Sequence, residues 1–346
     1  MNLYSRIIQM ASEQPWALAP KHLGILADIL RFRSEGRRLT EEQIKERIAA
    51  HGVTRSHVPF RYVDPESDES YQMAFDAESG APLGYRSQAG AAMPANRPVV
   101  AVIPVVGVIM QRGDALSEMS GAMSIQTLAN RFRGALADPN VRGIVFDVDS
   151  PGGGVYGVDE FAAEIRAARS VKPIGANANS LAASAGYWIH TAAEHVSVTR
   201  SGEVGSIGVY SLHENIAKLL ENEGVSYEFI SAGEFKTEGN PFGPLTEEAR
   251  AFMQKRVDEY YAAFLKAVAA GRGVSVAKVR EDFGQGRVYG AAQAKEVGMV
   301  DRIETLDEMI RRIGAMKAKP SGSNASSAWA ELNAAQADAD RMLIGQ

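Results

Sequence analysis

The spacing of apolar residues changes character twice along this chain. In residues 1–56 the pattern is helical. "PKHLGILADILRFRSEG" sets Leu23, Leu26, Ile29, Leu30 and Phe32 three to four apart, and "LTEEQIKERIAAHGV" starts on Thr40 as an N-cap and stops at Gly52. Residues 57–97 show no period and end in "SGAPLGYRSQAGAAMPANRP", a Gly/Ala/Pro-rich stretch that reads as an irregular linker. From Val99 the pattern changes again. "VVAVIPVVGVI" is β-branched and nearly unbroken, as a strand buried on both faces should be. A helix is predicted over 124–137. A second buried strand, "VRGIVFDVDS", then ends in a glycine turn and leads to the amphipathic "GVDEFAAEIRAARS". Next come a strand at "KPIGANAN", a helix opened by Ser184 and running to about Ala193, a short strand at "HVSVTR", a helix at "SLHENIAKLLENEG" and a strand at "VSYEFISAG". A long helix begins at "TEEARAFMQKRVDEYY". Strands alternating with helices in this way predict an α/β domain with mostly parallel pairing over 98–318. Residues 319–346 read as a flexible or weakly helical tail.

Composition narrows the function classes. The chain has 346 residues, 45% of them hydrophobic and 23% charged, which is ordinary for a globular protein. A net charge of −5 gives no basic footprint, so nucleic acid is not an expected partner. The absence of cysteine excludes thiol catalysis, disulfides and Cys-ligated zinc. The N-terminal stretch is interrupted by Arg6, Glu13, Pro15, Pro20, Lys21, Asp28 and Arg31, and nothing approaches the ~18–20 apolar residues of a membrane span. The expected location is cytoplasmic, with no membrane association.

Candidate chemistry starts with "NANSLAASAGYWIH", residues 177–190. Ser184 sits at a predicted helix start among small residues. Either the small residues let two backbones pack closely, or the hydroxyl beside free backbone N–H groups is a nucleophile. Ser180, four residues earlier, has the plainer reading of a hydroxyl closing a loop. In "DSPGGGV", three glycines after a buried strand make a tight strand–helix turn or a row of N–H groups able to hold an oxyanion. The Gly-Lys-Ser/Thr of a phosphate-binding loop is missing. A nucleophilic serine needs a base. His22, His51, His57, His190, His195 and His213 sit in no catalytic motif, and a regular helix would turn His190 away from Ser184. Lys236, in the Gly/Pro-rich "SAGEFKTEGNPFGPLTEE", is either a solvated loop lysine or a base. As a base it must be neutral, and lowering a lysine from ~10.4 to ~7 takes about 4.6 kcal/mol, within what burial supplies. Ser206 in "EVGSIGVY" is a turn hydroxyl or a partner for that amine.

Together these pieces resemble the signal peptide peptidase A family of serine peptidases. "DSPGGG", "SLAASAGYW", "GSIGV", "FKTEGNPFGPLTEEAR" and "GRVYGAAQAKEVGMVD" stand in the family's order, with Ser206 22 and Lys236 52 positions beyond Ser184, over about residues 98–315. The resemblance implies a ClpP/crotonase-like fold, preceded here by the helical extension, and a serine–lysine dyad that needs no cofactor or metal. Ser184 would be the nucleophile, Lys236 the base and Ser206 its orienting partner. The N–H groups of Gly153 or Gly154 and of Ala185 would form the oxyanion hole. The family more often has Ser-Gly-Gly where this chain has Ser184-Ala185-Gly186. The "GNPFGPL" version of the lysine loop and the helical N-terminal extension look more like the phage capsid-maturation branch. That likeness implies a prohead endopeptidase acting on scaffold and capsid proteins, assembled as a homo-oligomer, with residues 1–95 as a docking element. Self-cleavage is expected in 79–97 and 319–328, where small residues cluster. The alternatives are a peptidase that degrades signal peptides, a crotonase-like acyl-CoA enzyme that needs neither Ser184 nor Lys236, and an inactive capsid scaffold protein.

Overall fold

A computed structural model of the chain describes residues 16–18, 60–75, 82–93, 98–112 and 122–316. The helical reading of 1–56, apart from 16–18, and the tail reading of 319–346 lie outside these residues. Where the N-terminal region is described, it is not helical: Trp16–Leu18 is a strand, β1.

The α/β class expected from the sequence is the class observed. Three long parallel strands form the centre: β5 (Val99–Met110), β7 (Val141–Gly154) and β8 (Ile174–Ala183). Helix α1 (Ile125–Ala137) connects the first two and α2 (Val158–Ala168) the next two. The central strands read as continuous hydrophobic runs because both of their faces are covered. On one face Ala101, Ile103, Val105, Ile144 and Phe146 pack with Leu128 and Phe132 of α1 and Phe161 and Ile165 of α2. On the other, Val100, Val102 and Val145 meet Met309, Ile310 and Ile313 of α8 (Leu306–Gly314). A Cβ at Gly143 would lie 2.4 Å from Ile313 Cγ2, so glycine is what lets α8 close on the sheet.

The edges of the central strands are shared in succession. The far edge of β8 pairs first with β9 (His195–Val198) and then with β10 (Glu203–Gly205). The far edge of β5 pairs with β2 (Arg61–Val63) and then with β6 (Ala122–Ser124). Strands β3 (Ser70–Phe75) and β4 (Pro82–Ser87) continue the sheet antiparallel from β2. Residues 57–97, expected as irregular linker, are therefore partly sheet. These strands are short, and what fixes them is pairing outward from β5 through β2, together with the edge-on packing of Tyr62 against Phe60 and Tyr85, rather than a period in the sequence.

The remaining elements complete the frame: α3 (Ala185–His190), α4 (Ala217–Asn222), α5 (Glu247–Arg272), α6 (Val276–Asp282), β11 (Val288–Gly290), α7 (Ala291–Val297) and β12 (Arg302–Ile303). Helix α5 matches its predicted start: Thr246 caps it by accepting from Ala249 N, and Gly273 ends it at φ 65°. The strand predicted at "VSYEFISAG" is absent. Its alternating apolar residues find no strand to pair with, and Tyr227 and Phe229 instead face Phe242 with their rings largely in solvent.

Candidate active site

The site is built where β8 turns into α3. Ser184 occupies that junction at φ 56° and ψ −121°, a backbone conformation that costs a non-glycine residue about 1–3 kcal/mol. Two hydrogen bonds hold it there. Its N–H donates to Gly205 O at 2.7 Å, and its carbonyl accepts from Trp188 N at 2.9 Å to begin the helix. A strand, a strained serine and a helix in sequence form an elbow that presents one side chain at the end of a sheet. The Ser184 side chain is fully buried, and Oγ has no hydrogen-bond partner.

The elbow is clamped on several sides. Trp188 stacks on Phe264 of α5 with centroids 4.4 Å apart and rings 7° from parallel, and the Tyr187 hydroxyl donates to Met299 O. A Cβ on Gly186 would stand 3.1 Å from both Ser150 Cβ and Ser150 O, so α3 sits directly against the end of β7. Behind the helix, Arg169 at the end of α2 donates to the carbonyls of Thr191, Ala192 and Ala193 at 2.8–2.9 Å.

The glycine run is strand rather than the turn expected from sequence. Gly152, Gly153 and Gly154 are the last residues of β7. Gly152 and Gly153 pair with Val108 and Ile109 of β5. A Cβ on Gly153 would fall 1.9 Å from Ile109 O, so no other residue fits this register. Pairing with β8 ends at Ser150 and Ala182, because β8 is about to bend into the elbow. The edge of β7 that β8 vacates carries β1 instead, with Trp16, Ala17 and Leu18 opposite Gly154, Gly153 and Gly152. Ala185, the third oxyanion candidate, is the first residue of α3 and is fully buried.

Ser206 lies one residue beyond the carbonyl that anchors Ser184. It too has positive φ, 55°, and its N–H donates to Arg287 O at 2.7 Å. The sequence singles out Ser206 but not Gly205, whose carbonyl makes the link and whose φ of 129° only glycine adopts readily. Lys236 is elsewhere in character. It sits in a succession of turns, its backbone N–H donating to Gly233 O, and its side chain is exposed. Ser184 Oγ is therefore not hydrogen-bonded to Lys236 in this arrangement. The segment bearing the lysine also exposes Tyr227, Phe229, Ile230 and Phe235, with Ile230 98% exposed.

The other candidates fall away from the elbow. Ser180 is an exposed residue within β8 rather than a loop hydroxyl. His190 is fully buried with Nε2 2.9 Å from Ser197 O, which makes Nε2 the protonated nitrogen; burial holds its pKa down to about 4. Beyond the glycine run lies a cleft of about 430 Å³, lined in part by Val155, Tyr156, Trp188 and Tyr260. Among the described residues no cluster of His, Asp or Glu is placed to hold a metal, and no helix is long and apolar enough to cross a membrane.

Residues 166–319 match Peptidase family S49. This part of the chain is a Peptidase family S49 domain. It takes in Ser184, Ser206 and Lys236, while the glycine run precedes it. The chain is also 34% identical over 247 residues to "Capsid assembly protease C" of Escherichia phage lambda, covering 69% of this chain and 56% of that protein. It is 33% identical over 211 residues to "Head-tail preconnector protein GP5" of Enterobacteria phage P21, covering 61% and 42%. With "Putative signal peptide peptidase SppA" of Enterococcus faecium it shares 32% identity over 202 residues, 58% of each. The chain spans about half the length of the curated relatives it matches. Among solved structures, a ClpP1 mutant from Listeria monocytogenes aligns over 60% of this chain and 94% of its own, at 14% identity and a TM-score of 0.38.

Proposed function

We propose that this S49-domain protein is a serine endopeptidase with Ser184 as nucleophile and Lys236 as base, working as a capsid-maturation protease on scaffold and capsid proteins and on its own chain. The observation that carries the reading is Ser184 itself: a buried, unpartnered hydroxyl held at strained dihedrals, one hydrogen bond from the Ser206 turn. A folded chain leaves a buried hydroxyl unpaired at a cost of about 1–3 kcal/mol, and such exceptions gather where chemistry is done. The names of the phage relatives support the capsid substrate class.

In this reading neutral Lys236 Nζ takes the proton from Ser184 Oγ as the oxygen attacks a peptide carbonyl carbon. N–H groups of Gly153 or Gly154 and of Ala185 stabilise the oxyanion. The ammonium returns its proton to the leaving amine, and water then hydrolyses the acyl-serine by the same route. Ser206 orients the amine. The reading requires Lys236 to leave solvent, because only a dry site keeps the amine neutral. Burying the exposed aromatic row at 227–235 against a second copy of the chain would carry Lys236 along and dry the site in one step. Supplying a phage scaffold protein to wild type, Ser184→Ala and Lys236→Ala, and mapping new termini by mass spectrometry, tests the proposal. New termini with wild type alone are expected, and the same termini with either variant would overturn it.

A further inference from the structure

The vacated edge of β7 points to what competes for this site. A strand has two edges. Over Gly152 and Gly153 one is taken by β5. The other carries β8 as far as Ser150, then becomes free because the chain of β8 departs into Ser184 and α3. The free edge therefore lies on the Ser184 side, and because N–H groups alternate between edges it offers the N–H of one of Gly153 and Gly154, the alternative oxyanion donors. A peptide laid there as an added strand would have its backbone fixed by the glycines beside the serine hydroxyl. In this structure that row is filled by the protein's own backbone, Trp16–Leu18, running antiparallel.

We infer that Trp16–Leu18 is a resident competitor, a self-bound strand that substrate must displace from Gly152–Gly154 before Ser184 can act. Two features suit the segment to blocking rather than to being cut. Pro15 and Pro20 bracket it in "EQPWALAP", and proline has no N–H to extend a ladder, so the pairing stays short and reversible. A three-residue strand is also marginal by itself; its covalent tether to the sheet is what favours its place. The inference rests on the peptidase reading for its meaning, since it concerns access to the same serine.

The test uses the full-length chain. Ala17→Pro and Leu18→Pro are made separately; N–H groups alternate between the two edges of a strand, so one of the two deletes a donor to β7 and the other, with its ring turned to the outer edge, is the control; melting curves check folding. In a Ser184→Ala background, which needs no turnover, anisotropy measures binding of a fluorescein-labelled synthetic peptide of sequence EQPWALAPK. The proline variant that deletes the donor should bind it at least about threefold more tightly than the parent, because the tethered competitor is gone. In catalytically intact protein a quenched peptide substrate should show KM falling by a similar factor with kcat unchanged. Equal anisotropy affinities, or a lower melting temperature with affinity and KM unmoved, would make β1 an ordinary sheet strand and overturn the inference. Tighter binding without turnover by any form would sustain the inference and remove the Ser184–Lys236 reading instead.

Discussion

The N–H of Ser184 and the carbonyl of Gly205 are joined at 2.7 Å, across the register in which Gly205 stands opposite Ala183. That bond ties two serines of positive φ, Ser184 and Ser206, into one backbone unit at the ends of β8 and β10. Neither conformation is one a serine prefers. Both are imposed by strands that are hydrogen-bonded up to the residue before, so the cost is met by the sheet.

The hydroxyl of Ser184 is buried without a partner, so removing it should help the fold. Ser184→Ala is expected to raise stability by about 1 kcal/mol, roughly 2 °C in a melting scan, while abolishing peptide cleavage. A lower melting temperature would show that the hydroxyl is structural.

Lys236 is exposed, and Lys236→Ala should leave thermal stability within about 0.5 kcal/mol of wild type. Cleavage should nonetheless fall at least about 100-fold, the scale of a lost general base. If a second copy delivers the lysine, mixing the Ser184→Ala and Lys236→Ala proteins should restore activity that neither has alone. A peptidase assay on the mixture, with subunit mass followed by light scattering, checks this.

Two glycines give opposite outcomes. Gly153→Ala drives a methyl to 1.9 Å from Ile109 O and should cost about 3 kcal/mol or more by parting β7 from β5. Gly134→Ala, in α1 with nothing within 4 Å of the new methyl, should add up to about 1 kcal/mol. Urea unfolding midpoints of the two variants provide the comparison.

His190 sets an acid limit. Its folded pKa is lowered to about 4 by burial, against an ordinary value near 6.5. Below pH ~6.5 the unfolded chain binds a proton that the folded chain refuses, so the contribution is present above that pH and is lost as pH falls toward 4, by about 3 kcal/mol. Melting temperatures of wild type and His190→Gln between pH 7 and 4 should converge as acid is added. Parallel curves would mean that His190 does not titrate as described.

Much of this was legible in the sequence, and the failures share a cause. The runs at 99–109 and 141–148 could only be buried strands, and Ser124 and Thr246 mark their helices by local capping chemistry. Ser184 was legible as a helix opener, because small residues precede an aromatic pair. Where an element depends on a distant partner, the local pattern misled. Residues 61–63 form a strand because β5 offers an edge, 70–75 and 82–87 because that strand offers the next one in turn, and 225–232 alternates like a strand yet finds none. The glycines at 152–154 read as a turn, since nothing near them announces that Ile109 and Ala17 will flank them. The dihedrals of Ser184 and the role of Gly205 depend on β10 meeting β8, twenty residues apart.

Arg169 has a consequence for water. The carbonyls it gathers, from Thr191, Ala192 and Ala193, belong to residues that are almost fully sequestered, so each needs a donor. A guanidinium meets all three from one rigid plane, whereas an ammonium is a single point with free rotation. Replacing this arginine with lysine would invite solvent molecules to bridge the orphaned oxygens. The wall behind the Ser184 helix would then be hydrated, and under the proposed mechanism the dry pocket that Lys236 has to enter would be lost.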